Sequence, residues 1–142
     1  MYVVDASVWV SHFAAADLNH LDTRAWFKQV RSAGELIFGP VLLLPEVAGA
    51  ISRRTQNPEF GRQTIAGLER MPRLRLSPLE DRFSEFAARI AAQLRIKGSD
   101  AVYVALAASM GIPLVTWDRE QRQRATRAVD ARTPSELLQR TP

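Results

Sequence analysis

Apolar residues recur at two different spacings along this chain, and the alternation between them predicts short strands separated by helices. Short apolar runs bounded by Gly, Pro or acidic residues are typical of buried strands, whereas spacings of three and four residues indicate helices. The predicted strands are Tyr2–Val4, Leu36–Phe38, Leu74–Leu76, Leu114–Thr116 and a short strand between Val129 and Thr133. The predicted helices start at Ser7, Leu21, Leu42, Pro58, Phe83, Ala101, Arg119 and Thr133-Pro134.

Strands that alternate with helices predict a parallel sheet covered by helices on both faces, which is an α/β fold. The segment Ala101–Met110 is apolar nearly all round, as expected of a helix buried in such a fold. Ser7 and Ser99 precede helical segments, so we expect each hydroxyl to cap the helix that follows it.

The composition is that of one globular domain, residues 1–142. With 142 residues, of which 46% are hydrophobic, the chain can bury about two-thirds of its unfolded surface. The absence of cysteine excludes disulfides and thiolate metal sites. The start Met1–Asp5 lacks the pattern of a signal peptide, and no apolar run approaches the roughly 20 residues of a membrane span. We therefore expect a cytoplasmic protein.

Four carboxylates lie where predicted strands end or predicted helices begin. Asp5 and Asp118 follow apolar strands, whereas Asp100 and Glu46 lie in the first turns of helices. Ligands of parallel sheets bind at the carboxyl ends of the strands, and buried acids without partners are rare and unfavourable. A shared divalent cation would explain the four acids together.

Each acid also has an ordinary structural explanation. Any one of them could be a turn residue, a cap or a first-turn acid favoured by the helix dipole. Ser7 and Thr116 could likewise be simple caps, although each lies two residues from an acid and could orient it through a hydrogen bond. His12 and His20 lack the spacing of a zinc-binding pair.

Other catalytic chemistries find little support in the sequence. It contains no Gly-rich phosphate loop and no Gly-x-Ser-x-Gly nucleophile motif, which excludes the common nucleotide-binding and serine hydrolase patterns. An aspartyl phosphoacceptor site is disfavoured because Asp5 is followed by Ala6 and Ser7, not by a second acid.

The remainder of the chain is strongly basic. The net charge is +4, so setting the four acids aside leaves +8, and only Lys28 and Lys97 among the cations are lysines. Arginine suits phosphate recognition, although an Arg-rich, solvent-exposed surface is an equally simple explanation. An acidic pocket within a basic shell is typical of metal-dependent enzymes that act on polyanions.

Four segments together resemble the PIN domain family, and most closely the VapC-type toxin ribonucleases. They are Val4-Asp5-Ala6-Ser7, Pro45-Glu46-Val47, Ser99–Ala107 and Pro113–Asp118. The resemblance implies a three-layer α/β/α sandwich with a mostly parallel sheet, RNA cleavage, a homodimer and a cognate antitoxin. It also implies Mg²⁺ or Mn²⁺ held by four catalytic acids, namely Asp5, Glu46, Asp100 and Asp118.

The expected reaction is hydrolysis of an RNA phosphodiester by water that a divalent cation activates. We expect Asp5 and Asp100 to bind the ion directly, Glu46 to bind it or position water, and Asp118 to bind it or support the other acids. Ser7 and Thr116 would hold these acids in place. A housekeeping RNA-processing nuclease and a catalytically idle PIN-like binding module are the alternatives.

Three further expectations concern the surroundings of the site. The family commonly has an apolar residue three positions after the last acid, where this chain has Gln121, which leaves open how the loop after Asp118 packs. Candidate contacts to RNA phosphate are Arg53, Arg54, Arg119 and Arg122, for which a solvent-exposed surface position is the simpler explanation. Aromatic side chains on the first two helices could line an antitoxin groove or belong to the core: Trp9, Phe13, Trp26 and Phe27.

Overall fold

A computed structural model describes residues 1–139, which form five strands and eight helices. Residues 140–142 of the expected domain lie outside the described part. The strands are β1 Tyr2–Val4, β2 Ile37–Pro40, β3 Leu74–Ser77, β4 Leu114–Val115 and β5 Ala131–Arg132. The helices are α1 Ala6–Phe13, α2 His20–Ser32, α3 Leu43–Thr55, α4 Pro58–Glu69, α5 Asp81–Leu94, α6 Gly98–Met110, α7 Arg119–Ala125 and α8 Pro134–Leu138.

All neighbouring strands pair in parallel, in the order β3-β2-β1-β4-β5. The first strand is therefore central, with Val3 paired to Phe38 of β2 on one side and to Leu114 of β4 on the other. Because parallel strands end at the same edge of a sheet, the residues that follow β1 and β4 come together there.

The strand order also divides the helices between the two faces of the sheet. From β1 the chain adds β2 and β3 on one side of the sheet, and it then returns to add β4 and β5 on the other side of β1. Connections between parallel strands are right-handed, so reversing the direction places the connecting helices on the opposite face. Helices α1 to α4 consequently pack with one another on one face, and α6 lies against β1, β2 and β4 with α5 packed on it. This arrangement confirms the expected α/β/α sandwich.

Helix α6 is the central buried helix, as its apolar sequence predicts. Six of its residues are buried: Ala101, Tyr103, Val104, Ala105, Leu106 and Ala107. On the opposite face, α3 and α4 approach closely at Gly61, where a methyl group would lie 2.9 Å from the backbone oxygen of Ala48. The absence of a side chain at Gly61 thus permits the contact that supports α3.

The predicted helix caps are wrong at two positions. Asp5, not Ser7, is the N-cap of α1, because a single residue joins β1 to the helix and its carboxylate accepts the Ser7 N–H. Ser99 lies inside α6, whose N-cap is Lys97. Strand β2 also continues through Gly39-Pro40, where the sequence predicted its end.

Candidate active site

Asp5 lies at the centre of the carboxyl edge of the sheet and is 6% exposed. Its Oδ2 accepts hydrogen bonds from the Ser7 backbone N–H at 2.9 Å and from the Thr116 hydroxyl at 3.2 Å. Burial raises the pKa of Asp5, and the hydrogen bonds oppose that effect because they stabilise the ionised form. This carboxylate is thus fixed in orientation before any ligand arrives.

The Ser7 and Thr116 hydroxyls form a chain of hydrogen bonds behind Asp5. Their oxygens lie 3.3 Å apart, and they accept the backbone N–H groups of Trp117 and Asp118 respectively, both at 3.0 Å. Thr116 donates its proton to Asp5, and the Ser7 hydroxyl also forms a hydrogen bond that lowers the pKa of Asp5. The network joins α1 to the loop after β4, so both residues have the contacts expected of supporting groups.

Glu46 faces the same cleft from the first turn of α3. Its Oε2 accepts a 2.7 Å hydrogen bond from the hydroxyl of Tyr103, a fully buried residue. Burial raises the pKa of Glu46, the Tyr103 bond lowers it, and the charge of Asp5 raises it again. Burial and the nearby Asp5 and Glu46 charges also raise the pKa of Tyr103, so Tyr103 remains a neutral donor to Glu46.

Tyr103 is a site residue to which the sequence assigned no role. It lies three positions after Asp100 on α6, and residues at that spacing share a helix face. This spacing is the signal that could have identified it, although a tyrosine inside an apolar helix is more simply explained as part of the core.

Asp100 lies in the first turn of α6 and is partly exposed to the cleft. Burial is the main cause that raises its pKa to about 6, and the negative charges of Asp5 and Asp118 act in the same direction. Glu46 adds a smaller effect of the same sign. The raised pKa of Asp100 therefore reflects its burial together with the charges of the three other acids.

Asp118 differs from the other three acids because it does not line the cleft. It is the N-cap of α7, and its Oδ1 accepts the Gln121 backbone N–H at 2.8 Å. Asp118 therefore has the capping role that its position predicts. Its link to the site is that its charge raises the pKa of Asp100.

Gln121 is fully buried despite its polar side chain. Its Nε2 lies 3.4 Å from Asp5 Oδ1 and 3.3 Å from the backbone oxygen of Asp100, and it donates to both. The segment after Asp118 is the first turn of α7, and it buries an amide at the position where the family commonly has an apolar residue.

The cleft at this edge of the sheet has a volume of about 490 Å³. Three acids line it together with two arginines of α3: Asp5, Glu46, Asp100, Arg53 and Arg54. Arg54 is held by Asp17 at 2.6 Å, whereas Arg53 has no ion-pair partner among residues 1–139. The cleft therefore combines an acidic floor with a cationic side.

The remaining candidate residues lie away from this cleft. Arg122 forms an ion pair with Glu136 at 2.6 Å, and Arg119 is exposed at the start of α7. His20 contacts the backbone oxygen of Ser11 at 2.8 Å, and burial lowers the pKa of His12 to about 4. Neither histidine lines the cleft.

The four aromatic side chains of α1 and α2, for which the sequence left a groove or the core open, belong to the core or pack against it. Trp9, Trp26 and Phe27 are all buried in the core, and Phe13 is partly buried against it. Ring contacts between α1 and α2, such as that of Trp9 with Phe27 at 4.7 Å between centroids, explain their burial.

Side chains in the described part of the chain do not form a ready-made ligand set. No three Asp, Glu or His side chains within residues 1–139 are close enough together to hold one metal ion directly. The arrangement instead suits a hydrated ion, because Mg²⁺ keeps several waters and uses one or two carboxylates. Across residues 1–139, moreover, no helix is both long and apolar enough to cross a bilayer.

Solved structures with the same fold include toxins and toxin–antitoxin complexes. VapC20 of Mycobacterium tuberculosis, a toxin that cleaves the sarcin-ricin loop, is 17% identical with a TM-score of 0.71, covering 85% of this chain and 92% of its own. VapBC from Salmonella typhimurium bound to DNA is 15% identical with a TM-score of 0.70, covering 94% and 97%. VapBC2 from Rickettsia felis bound to promoter DNA is 12% identical with a TM-score of 0.69, covering 93% and 97%.

The structural likeness establishes the shared fold, and the sequence supplies the family. No curated protein matches the chain in sequence. The model of the PIN domain family matches residues 2–127, a span that contains all four acids and the network behind Asp5. The chain therefore belongs to the PIN domain family.

Proposed function

We propose that this protein is a Mg²⁺- or Mn²⁺-dependent endoribonuclease and the toxin of a toxin–antitoxin pair. The observation that carries the proposal is the convergence of Asp5, Glu46 and Asp100 on one cleft, with Asp118 close enough to influence Asp100. Membership of the PIN domain family and the fold shared with VapC20 support nuclease activity.

The donor atoms of the cleft fit a hard divalent cation. They are carboxylate oxygens, with no cysteine in the chain and no histidine in the cleft, and such ligands favour Mg²⁺ or Mn²⁺ over Zn²⁺. Burial is the main cause of the raised pKa values of Asp5, Glu46 and Asp100, and the charges of neighbouring acids add to it at Glu46 and Asp100, so a bound cation would offset unfavourable negative charge in the cleft. When bound, the cation supplies charge stabilisation and a more acidic water.

The chain's own residues then orient the reaction. Asp5 and Asp100 are the candidates for direct ligands, since they flank the cleft from β1 and from α6. Glu46, held by the Tyr103 hydroxyl, is placed to accept a proton from water or to align that water. Ser7 and Thr116 keep Asp5 from rotating, while Asp118 holds the start of α7 and adds negative charge beside Asp100.

RNA is the proposed substrate because cations border the acidic floor. Arg53 and Arg54 line the cleft, and a guanidinium group can bind a phosphate through two parallel hydrogen bonds. Arg53 is the stronger candidate because Arg54 is already paired with Asp17. We expect Arg53→Ala to weaken RNA binding and to reduce the dependence of the affinity on salt.

RNA cleavage by the purified protein tests the proposal. We expect cleavage of single-stranded or loop RNA with Mg²⁺ or Mn²⁺ and none with chelator. Asp5→Asn should lower the rate by about a hundredfold or more, whereas Asp81→Asn, an exposed first-turn acid of α5, should leave it unchanged. Metal-dependent cleavage that survives Asp5→Asn would refute the site assignment, and a purified protein inert on all RNAs would favour the idle binding module.

A second cavity, of about 630 Å³, is our candidate for the antitoxin site. Its floor is apolar, and its rim carries five cations and one acid, Glu35. The floor includes Phe27, Val30, Ile37 and Met71, and the rim carries Arg24, Lys28, Arg31, Arg70 and Arg73. An amphipathic segment with acidic residues would complement this surface. An antitoxin partner is supported by the VapBC complexes among the solved structures with the same fold.

Expression in a host distinguishes the toxin from a housekeeping nuclease. We expect cytoplasmic expression alone to slow growth, and co-expression with the neighbouring gene to relieve the defect and yield a complex. Light scattering of the purified protein should give the mass of a homodimer. Harmless overproduction of an active nuclease would favour the housekeeping role.

A further inference from the structure

Gln121 is the one amide side chain among the buried polar residues of the described chain. It enters the interior from the first turn of α7, because the Asp118 cap fixes the position of its backbone. Gln123, two positions later on the same helix, is exposed. The helix therefore directs one glutamine towards the acids and leaves the other in solvent.

The contacts of Gln121 complete the set of donors around Asp5. Asp5 Oδ2 already receives the bonds from Ser7 and Thr116, so the Gln121 Nε2 is the donor that faces Oδ1. The same Nε2 donates to the backbone oxygen of Asp100. Because both acceptors lack protons to donate, they also determine which end of the amide carries the nitrogen.

The other end of the amide has no partner. Gln121 Oε1 is buried without a hydrogen bond, which is destabilising for a polar atom. A methionine or leucine would fill a similar volume without that penalty. Packing alone consequently does not explain a glutamine here, whereas the bonds of its Nε2 to the acids do.

We propose that Gln121 is a positioning residue that sets the divalent-cation affinity of the site. This inference rests on the proposed function and adds a residue to it. The amide ties Asp5 at the end of β1 to the first turn of α6, where Asp100 lies, and so maintains the relative placement of two carboxylates from distant parts of the chain. Groups that orient metal ligands typically affect metal affinity by about 10- to 100-fold when they are removed.

Gln121→Met tests the proposal, with Gln123→Met on the exposed side of α7 as the matched control. Free Mn²⁺ is measured by electron paramagnetic resonance to obtain the dissociation constant, and the melting temperature is measured in chelator. We expect Gln121→Met to weaken Mn²⁺ binding about tenfold, at the lower end of that range because both hydrogen bonds are long. Its melting temperature in chelator should stay close to that of the wild type, since removal of the buried, unpaired Oε1 offsets the loss of the two long Nε2 hydrogen bonds.

A merely structural role gives the opposite pair of results. Gln121→Met would then melt at a lower temperature and bind Mn²⁺ as tightly as the wild type, which would overturn the inference. If Gln121→Met does not fold, Gln121→Leu is measured in the same way. A wild-type protein that binds no Mn²⁺ contradicts the proposed function itself, whereas equal binding by wild type and variant contradicts only the role of Gln121.

Discussion

Replacing Asp100 with asparagine removes one charge from the cleft and nearly preserves the shape of the side chain. In the metal-free protein, the ionised Asp100 is destabilising because burial and the charges of Asp5 and Asp118 raise its pKa from 3.8 to about 6. The folded state therefore binds a proton more tightly than the unfolded chain does. At pH 7.5, Asp100→Asn should stabilise the metal-free fold, because an amide carries no charge to be repelled.

The size of this effect can be worked out from the pKa. A change from 3.8 to about 6 corresponds to about 3 kcal/mol, and solvent screening of a half-exposed group reduces it to about 1.5 kcal/mol. Losing a negative charge in the first turn of α6 removes about 0.5 kcal/mol of favourable helix-dipole interaction. The net gain of about 1 kcal/mol should raise the melting temperature by about 4 °C for a chain of this length.

Added cation should reverse the order of the two proteins. At a Mn²⁺ concentration 100 times the wild-type dissociation constant, binding stabilises the wild type by about 2.7 kcal/mol. If Asp100→Asn weakens binding a hundredfold, the same concentration adds only about 0.4 kcal/mol to the variant. The variant should thus melt above the wild type in chelator and below it in Mn²⁺.

Thermal melts at pH 7.5, with chelator or with Mn²⁺, measure both effects. Asp81→Asn is the matched control, because Asp81 is an exposed first-turn acid of α5 that does not line the cleft. It should melt slightly below the wild type and keep the full response to Mn²⁺. If Asp100→Asn instead behaves like Asp81→Asn, Asp100 is an ordinary first-turn acid and the carboxylates do not share an ion.

Three other outcomes are expected from the same structure. In chelator, the melting temperature of the wild type should rise as the pH falls from 7.5 towards 5, because carboxyls with raised pKa values bind protons more tightly in the folded state than in the unfolded chain. Asp100→Asn should flatten this rise. Tyr103→Phe should lower the free energy of unfolding at pH 7.5 by about 1–3 kcal/mol, because Glu46 loses its hydroxyl donor, as urea unfolding would measure. Gly61→Ala should lower the free energy of unfolding by about 1–3 kcal/mol, because the added methyl group would collide with α3. Gly67→Ala, at an exposed position of the same helix, should raise it by about 0.5–1 kcal/mol. Equal urea midpoints for the two variants would contradict the close approach of α3 and α4 at Gly61.

The sequence predicted the elements well because each has a local cause. Apolar runs and helical spacings identify the strands and helices, and parallel strand ends bring Asp5 close to the start of α7. The caps were less predictable: a serine is a good cap wherever it lies, but the single-residue connection after β1 gives that position to Asp5. Local preference could not anticipate how short that connection is.

The supporting residues of the site depended on tertiary structure. Tyr103 lies in an apolar helix and Gln121 in a charged one, so neither local pattern predicts a polar contact to an acid. Their roles follow from the orientation of α6 and α7 towards the sheet edge, which brings Tyr103 to Glu46 and Gln121 to Asp5. Sequence spacing could indicate that Tyr103 and Asp100 share a face of α6, but it could not indicate that Tyr103 contacts Glu46 on α3.

The donors around Asp5 also determine when the site can form during synthesis. Thr116 and Gln121 follow Asp5 by 111 and 116 positions, and translation at about 5–20 residues per second takes roughly 6 to 23 seconds to cover that length. Until β4 is made and pairs beside β1, Asp5 has neither donor and Asp118 does not yet exist. Under the proposed function, a ribosome that carries the unfinished chain is therefore not exposed to a complete site, and cleavage can begin only after most of the protein has been synthesised.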